Sequence, residues 1–312
     1  LRLVGSEMCI RDRKSIVAAI SALSLIVSMN TGIGSVFAGE QSTVPGTAEQ
    51  PFVVTDGLFD QTKTESDLGL SKIEGAETVT VFTATDDTDH YCNGVVMTEF
   101  KGKLYTQWQS SAKDEDAEDT WVAYSVSDDN GATWSEPKVL VPTIDNGYCS
   151  SGGWFVSGDT LVSYINVWYS DTTPRGGFAY YVESTDGEHW SEMKPVLMKD
   201  GTPMEGIIEQ DPHVLASGRI VNAAHFQPGL FAYPIYTDDP SGTKGWVKAQ
   251  YTCMEQGEGA TTSREMEPSL FVNEDGTIVM TFRDQKSSFV RLAAISTDQG
   301  ETWSETVSTN MP

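Results

Sequence analysis

A tight-turn motif recurs along the chain at a long and regular spacing, and this repeat constrains the fold more than any other feature. The pattern Ser-x-Asp-x-Gly-x-Thr-Trp occupies residues 127–134 and 296–303, and residues 184–190 repeat it with one residue deleted. The Asp accepts N–H groups of its own turn, the Gly adopts a positive φ, and the Trp packs beside the turn. The terminal Trp residues of these copies are 56 and 113 residues apart, and Trp246 lies midway, at the end of a degraded fourth copy. Such a period predicts one propeller blade per turn.

Each turn is preceded by a second recurring element, a β-hairpin of apolar and β-branched runs with a Gly at its tip. The tip glycines are spaced 56, 60 and 58 residues apart, at Gly102, Gly158, Gly218 and Gly276. A third apolar run then leads into each Asp-x-Gly turn. We therefore predict an all-β fold, a β-propeller with four-stranded antiparallel blades, of which residues 77–312 hold about four. Because four blades leave open sheet edges, we expect six or seven in the complete protein and the C-terminal blades to be missing here.

The first 76 residues lack this pattern and divide into three segments. We interpret residues 1–13 as an adaptor-derived artefact. Residues 14–38 combine Lys14, an apolar run and a small-residue site ending at Ala38, which is typical of a secretory signal peptide and too short for a transmembrane helix. Residues 39–76 read as a linker or N-terminal extension. We therefore expect a secreted, extracellular or periplasmic, protein without a membrane span.

Charge and cysteine content narrow the classes of partner. The chain carries 20 basic and 45 acidic residues, a net charge of −25, which argues against nucleic acid and anionic membranes. An acidic substrate held by a few local arginines remains compatible with this charge. Beyond the N-terminal segment only Cys92, Cys149 and Cys253 remain, without the spacing of a zinc site. A Cys92–Cys149 disulfide and small buried thiols are both compatible with the sequence.

The hairpins predict which side chains meet at the centre of the propeller, where the inner strands of all blades converge. Residues at the base of each hairpin face each other across the strand pair. The predicted pairs are Glu267 with Arg283, Glu209 with His225, Asn93 with Gln109, and Cys149 with Ile165. Three of these pairs are polar beneath an apolar hairpin, so we take them as the candidate site. A structural cross-strand ion pair or hydrogen bond is the alternative interpretation.

The turn motifs resemble the Asp boxes of sialidases and related BNR-repeat glycosidases. The segment from Glu267-Pro268 through Asp275-Gly276 to Phe282-Arg283 is similar to the sialidase segment that links the catalytic Glu to an arginine of the carboxylate-binding triad. The resemblance implies that Glu267 polarises a Tyr nucleophile and that Arg283 clamps the substrate carboxylate, for which a guanidinium fork is well matched. It also implies an acid/base Asp, for which the candidates are Asp86, Asp87 and Asp89. The first triad Arg is missing, since residues 85–93 contain none, and the Tyr and third Arg are expected beyond residue 312.

The first blade resembles a different group, secreted propeller enzymes that cleave rhamnose–glucuronate linkages as hydrolases or lyases. His90, the hairpin at residues 100–105 and Trp108 carry this resemblance. It implies His90 and His225 as acid/base residues, with Arg283 neutralising a uronate carboxylate. The primary prediction is therefore a sialidase-like glycoside hydrolase acting on a terminal acidic sugar. A uronate lyase or α-L-rhamnosidase-like enzyme is the first alternative, and a non-catalytic carbohydrate-binding propeller is the second.

The remaining candidates concern sugar stacking and metals. Trp108 and Trp168, at the ends of inner strands, are predicted to stack on sugar, whereas the four turn-motif Trp residues are predicted to be structural. The acidic run at residues 114–119 provides carboxylate ligands for a structural Ca²⁺, although a solvated loop is the favoured interpretation. His189 is expected at the surface and His213 on a strand. We predict a glycan partner, no other cofactor, and a monomer when the chain is complete.

Overall fold

The computed structural model describes residues 8–9, 46–55, 57–60, 62–63, 70, 73–85, 87–254 and 256–311. Within these ranges the chain forms nineteen β-strands and no α-helix. In chain order the strands are β1 (Met8–Cys9), β2 (Thr78–Val79), β3 (Tyr91–Phe100), β4 (Lys103–Ser111), β5 (Trp121–Ser127), β6 (Lys138–Val141), β7 (Gly147–Ser157), β8 (Thr160–Tyr169), β9 (Phe178–Ser184), β10 (Lys194–Pro195), β11 (Gly206–Ile207), β12 (His213–Val214), β13 (Ile220–Phe226), β14 (Phe231–Thr237), β15 (Val247–Lys248), β16 (Glu265–Val272), β17 (Ile278–Asp284), β18 (Leu292–Ser296) and β19 (Val307–Ser308).

Four antiparallel sheets follow one another along the chain and confirm the predicted propeller blades. Blade 1 has the strand order β3-β4-β5-β6, blade 2 the order β7-β8-β9-β10, and blade 4 the order β16-β17-β18-β19. In blade 3 the order is β11-β13-β14-β15, with β12 also paired to β13, so β11 and β12 together form the inner strand. Strands β1 and β2 form a separate two-stranded sheet.

The Asp boxes close each blade in the manner that their residue types predict. In blade 1, the Asp129 carboxylate accepts the Thr133 N–H at 2.8 Å, and Ser127 Oγ accepts the Gly131 N–H at 2.8 Å. Residues 296–303 repeat these bonds with Asp298 in the place of Asp129, at 3.0 Å. Trp246 of the degraded copy is fully buried between blades. The turn motifs therefore stabilise the fold.

The hydrophobic core lies between successive blades rather than within a central layer. Side chains of blades 1 and 2 share one cluster around Trp154, those of blades 2 and 3 share a second around Trp246, and those of blades 3 and 4 share a third around Phe282. Alternate residues of one strand thus face opposite neighbouring blades. Each fully buried large apolar side chain contributes about 1.5–3 kcal/mol, so adjacent blades stabilise each other.

In each blade the pairing of the inner strand is interrupted at a similar distance from the hairpin tip. The pairing register shifts between Asn93 and Val96 in blade 1, between Ser151 and Gly153 in blade 2, and between Met266 and Ser269 in blade 4. In blade 3 the gap between β11 and β12 lies at the corresponding position. A bulge leaves residues unpaired and re-aims their side chains.

The segment before blade 1 contacts both ends of the blade series. Phe52 lies edge-on against Phe271 of β16, with ring centroids 6.4 Å apart, and Asn310 exchanges two side-chain hydrogen bonds with the backbone of Val54 at 2.7 and 2.8 Å. Phe82 stacks on Trp108 of blade 1 at 6.2 Å. Residues 51–54 and Phe82 thus cover parts of blades 4 and 1 that have no neighbouring blade among the described residues.

Some predictions concern residues that the structure does not describe. The predicted signal peptide at residues 14–38, most of residues 1–13 and part of residues 39–76 lie outside the described residues. In the described part of the chain, no helix is long and apolar enough to cross a membrane. No disulfide joins Cys92 to Cys149 in the structure, so of the two alternatives for this pair the structure has two separate thiols.

Candidate active site

The chain topology places the candidate residues on the face opposite the Asp boxes. The β3–β4 hairpin tip lies at the Asp-box face, where Lys101 Nζ donates to the Thr185 carbonyl of the next blade at 2.7 Å. Strand β3 begins and β4 ends at the other face, where Tyr91 pairs with Ser111. The same holds for the other blades, so the inner-strand starts form one surface, which we call the site face.

Glu267 and Arg283 form an ion pair at this face, although their register differs from the prediction. Met266, not Glu267, lies opposite Arg283, and Glu267 sits in the bulge with a φ of 49°. From there its carboxylate Oε1 accepts a hydrogen bond from Arg283 NH1 at 2.6 Å, while Arg283 NH2 donates to Gln285 Oε1 at 2.8 Å. Both charged side chains are about half exposed, at 52% and 46%. The predicted contact between Glu267 and Arg283 is therefore present, but Glu267 reaches Arg283 from the bulge and not from the position opposite it.

Glu209 and His225 also meet, again through irregular backbone. His225 pairs with Ile207 of β11, and Glu209 lies in the gap before β12. The Glu209 Oε2 atom is 3.1 Å from His225 Nδ1, and the His225 side chain is 1% exposed. Neither ring nitrogen makes a hydrogen bond of ordinary geometry with the described residues. The imidazole is therefore a buried polar group next to a carboxylate that reaches solvent.

The two pairs act on each other electrostatically. Burial raises the pKa of the Glu209 carboxyl, but His225 and, more weakly, Arg283 lower it by more, so the pKa lies below its ordinary value. An arginine affects a carboxyl in this way only when the two groups are close. Blades 3 and 4 therefore contribute one mixed-charge group, Glu209, His225, Glu267 and Arg283, to the site face.

Two amide side chains hold the Glu209 segment in place. Asn166 of β8 donates from Nδ2 to the Ile208 carbonyl at 2.7 Å, and its Oδ1 accepts the Ile208 N–H at 2.9 Å. Asn222 of β13 donates to the Gln210 carbonyl at 3.0 Å. These clamps fix the residues directly before and after Glu209. They could not be predicted from the sequence, because an Asn inside a strand belongs to no recognisable motif.

A glycine pair in blade 2 lets the Glu209 segment approach closely. A Cβ on Gly152 would lie 3.0 Å from the Ile208 carbonyl oxygen, and one on Gly153 would lie 2.8 Å from the carbonyl carbon of Gln210. Next to them, the Asp211 carboxylate accepts the Trp154 N–H at 2.6 Å. Burial raises the pKa of Asp211 to about 6, only partly offset by this hydrogen bond.

Of the predicted hairpin pairs in blades 1 and 2, one is present and the other is not. Asn93 lies opposite Gln109 as predicted. Asn93 Nδ2 donates to Glu115 Oε2 at 3.1 Å, and Gln109 Nε2 donates to the Glu115 carbonyl at 3.3 Å. The pairing of Cys149 with Ile165 is wrong, because Cys149 lies opposite Val167 and Ile165 lies opposite Ser151. The hairpin turn of blade 2 lies between Ser157 and Thr160, further along the chain than the predicted pair requires, so the predicted partners are out of register.

The histidines outside this group take separate positions. His90 is exposed at the site face, immediately before β3, and makes no hydrogen bond or ion pair with the described residues. His189 is at the surface as predicted, with Nδ1 2.7 Å from Asp186 Oδ2. His213 lies on β12 as predicted, opposite Val221 of β13, and burial lowers the pKa of His213.

The candidate acid/base carboxylates precede β3. Asp86 lies outside the described residues, and Asp87 is exposed. Asp89 is engaged in the fold, since its Oδ2 accepts the Trp121 indole N–H at 2.6 Å and the Ser110 hydroxyl at 2.8 Å. Of the two described candidates, only Asp87 is exposed at this surface.

The predicted sugar-stacking tryptophans are both buried. Trp108 is 3% exposed and stacks on Phe82. Trp168 is 9% exposed, with Tyr148 stacked on it at 6.0 Å and the Arg175 guanidinium 4.8 Å from its ring centroid. Neither ring offers an open face in this arrangement, so stacking on a sugar requires these neighbours to move.

The acidic run at residues 114–119 does not gather its carboxylates. Asp114 Oδ1 accepts the N–H of Asp116 at 3.2 Å, and Asp119 Oδ2 accepts the N–H of Ala112 at 3.1 Å. Among the described residues there is no group of three or more His, Cys, Asp or Glu side chains that could hold a metal ion. The structure therefore provides no preformed Ca²⁺ site in this part of the chain.

The fold and this site describe a β-propeller of the BNR class. A family model for the BNR repeat-like domain matches residues 102–312, and the chain belongs to this family. No curated protein matches the sequence.

Solved structures with the same fold include sialidases. A Dyadobacter fermentans protein of unknown function is 14% identical, with a TM-score of 0.59 over 73% of this chain and 71% of its own. A Hadza microbial sialidase is 18% identical, with a TM-score of 0.54 over 72% of this chain and 48% of its own. The intramolecular trans-sialidase from Ruminococcus gnavus is 14% identical, with a TM-score of 0.54 over 74% and 73%. The chain spans between about half and three quarters of these proteins, and the likeness shows the fold.

Proposed function

We propose that the protein is a sialidase-like glycoside hydrolase that cleaves a terminal acidic sugar from a glycan. The observation that carries this proposal is the convergence of Glu209, His225, Glu267 and Arg283 on the site face. One arginine, two carboxylates and a buried imidazole supply both a carboxylate-binding group and groups for proton transfer. The Ruminococcus gnavus structure, solved with oseltamivir carboxylate, adds support by its similar fold.

In this proposal Arg283 binds the substrate carboxylate. Its guanidinium now donates to Glu267 and Gln285, but both members of the ion pair are half exposed. Such pairs are worth about 0–1 kcal/mol, so an incoming carboxylate can replace one partner at little cost. The fork geometry then holds the substrate in one orientation.

The remaining groups act on the bond that is cleaved. Glu267 stands next to the bound carboxylate and stabilises positive charge that develops on the sugar ring, or polarises a nucleophile there. Glu209 remains ionised because its pKa is depressed, and it orients His225 for proton transfer.

The Glu209–His225 pair also favours a second candidate, a uronate lyase. In that reaction His225 removes the proton α to the uronate carboxylate and Arg283 neutralises that carboxylate, while His90 gives a proton to the leaving oxygen as its bond to the ring breaks and the ring gains a double bond. The α-L-rhamnosidase-like alternative uses the same residues without forming a double bond.

The test measures turnover of two substrate types by the folded protein. One is a fluorogenic sialoside, and the other is a uronate-containing glycan, for which a lyase forms an unsaturated product that absorbs ultraviolet light. We expect Glu267→Gln and Arg283→Ala to lower kcat/KM for the active substrate by roughly ten-fold or more, the loss of a hydrogen bond to a charged group. Lys244→Ala is the matched control, since Lys244 is an exposed cation in a 3.7 Å ion pair with Asp239 on the Asp-box face.

The outcomes separate the candidates. Full activity of both site variants contradicts the site assignment. Glycan binding without turnover of either substrate supports the carbohydrate-binding alternative. Export, which we propose from residues 14–38, is checked by the fraction of protein found outside the cell when residues 14–312 are expressed with their leader.

A further inference from the structure

An arginine–aromatic cluster joins blades 1 and 2 on the site face, apart from the Arg283 group. Arg175, in the loop after β8, donates from NH2 to Tyr148 OH at 2.6 Å and to Asp116 Oδ1 in the β4–β5 loop of blade 1. Tyr148 OH also donates to Asp116 Oδ1 at 2.8 Å. The guanidinium lies over Trp168, whose indole N–H donates to Ser150 Oγ at 2.9 Å. The cluster is therefore rigid at its buried aromatic base.

A second carboxylate beside this cluster, that of Glu115, is also hydrogen-bonded through only one of its two oxygens. Glu115 Oε2 accepts hydrogen bonds from Tyr91 OH and Asn93 Nδ2, both at 3.1 Å. Burial and then the charge of Glu115 raise the pKa of Tyr91 to about 12, and burial followed by Asp116 raises the pKa of Tyr148, so both phenols remain donors. Glu115 Oε1 and Asp116 Oδ2 have no partner among the described residues.

These groups make a surface with acceptors and donors fixed in advance. Two adjacent carboxylates each present one free oxygen to solvent, and Arg175, which is 57% exposed, retains donors beyond those it uses. Fixed groups bind at a smaller entropy cost than mobile ones. Paired acceptors next to paired donors suit the vicinal hydroxyl groups of a sugar ring.

We propose that this cluster binds a neutral pyranose, the sugar that carries the acidic terminal residue in the substrate of the proposed function. Two carboxylates and one guanidinium leave a negative balance, so a second acidic sugar is repelled whereas neutral hydroxyl groups are not. Glu115 and Asp116 accept hydroxyl protons, and Arg175 and Asn93 donate to hydroxyl or ring oxygens. The Arg283 group in blades 3 and 4 takes the acidic sugar on the same face. The inference rests on the proposed function.

The first test compares two substrates that differ only in the second sugar. One is an acidic-sugar glycoside with a fluorophore as leaving group, and the other carries the same acidic sugar on lactose. We expect Glu115→Ala and Arg175→Ala to lower kcat/KM for the lactose substrate about ten-fold and to leave the fluorogenic substrate within about two-fold. Glu118→Ala is the control, because Glu118 is exposed in the same loop and makes no hydrogen bond with the described residues. Equal losses on both substrates, or none, overturn the proposal.

A binding measurement separates failure of the proposal from failure of the proposed function. Should neither substrate be turned over, the function is wrong, and saturation-transfer NMR with lactose alone still tests the cluster. Contacts to lactose that are lost in Arg175→Ala and kept in Glu118→Ala support the cluster. Absence of contacts to the wild-type protein at millimolar lactose overturns it, and so does lactose binding that disappears with EDTA, which would identify a metal-dependent site.

Discussion

Asn166→Ala removes the clamp that holds Glu209 to blade 2, and its effect can be worked out from two hydrogen bonds. Asn166 is 1% exposed and satisfies both the N–H and the C=O of Ile208, at 2.9 and 2.7 Å. Ile208 itself is fully buried. Alanine therefore leaves a buried donor and a buried acceptor without partners at the seam between blades 2 and 3.

Each unsatisfied buried backbone group costs about 1–3 kcal/mol, so the two groups together cost about 2–6 kcal/mol. Partial relaxation and entry of a water molecule favour the lower part of this range. A loss of this size is a large share of the roughly 5–15 kcal/mol that stabilises a typical protein. Asn166→Asp keeps an acceptor for the Ile208 N–H but sets a carboxylate against the Ile208 carbonyl, and we expect it to be at least as destabilising at neutral pH.

Urea unfolding followed by tryptophan fluorescence measures this loss, with Asn273→Ala as the control. The Asn273 side chain makes no hydrogen bond with the described residues, so the same chemical change should alter the free energy of unfolding by no more than about 0.5 kcal/mol. We also expect Asn166→Ala to lower turnover under conditions where the protein is still folded, because Glu209 is the next residue after Ile208. A destabilisation equal to that of Asn273→Ala would refute the clamp.

Three further predictions concern packing, pH and metal. Gly187→Ala should lower the free energy of unfolding by about 1–3 kcal/mol, since the φ of Gly187 is 75° and the new Cβ would lie 2.0 Å from Tyr105 OH. Gly158→Ala is the control, because it has open space around it and should cost only about 1 kcal/mol. Urea unfolding measures both. Because the pKa of Asp211 is raised to about 6 in the folded state, the folded protein binds an extra proton between about pH 4 and 6. The stabilisation from this proton is fully present below about pH 4 and is lost as the pH rises through about 6, so Asp211→Asn should flatten that part of the stability–pH curve. Millimolar Ca²⁺ should shift Tm by less than about 1 °C, because the carboxylates of residues 114–119 are not gathered into a ligand group, and calorimetry checks this.

The blade architecture could be predicted from the sequence because its signals are local. An Asp-box turn is specified within eight residues, and the Asp129 and Asp298 side chains make the bonds that their positions predict. Hairpin tips such as Gly102 are equally local. The spacing between such signals then gives the blade length without any knowledge of long-range contacts.

The candidate site could be predicted only in part, because its geometry depends on bulges. The sequence placed Glu267 near Arg283 and Glu209 near His225, and both contacts are present. It did not predict that Met266 faces Arg283, since counting from a hairpin tip assumes an unbroken ladder. The burial of Trp168 was also missed, because Arg175 reaches it from a loop whose course no local pattern specifies.

The bulges explain why a propeller of this kind can place charge at its centre. Apolar inner-strand residues such as Trp154 and Leu270 pack in the cores between blades. A charged side chain placed in one of these cores would carry a high desolvation cost. The bulge interrupts the alternation, so Glu267 reaches Arg283 from a φ of 49°, a conformation that costs about 1–3 kcal/mol in a residue other than Gly. Blades 1 and 2 have Gly94 and Gly153 with positive φ in their bulges, where no such cost arises. Glu209, in the gap of blade 3, is not among the residues with a positive φ, and the Asn166 and Asn222 hydrogen bonds hold its neighbours instead. The two carboxylates therefore reach the site face by different backbone arrangements, and only that of Glu267 carries this strain.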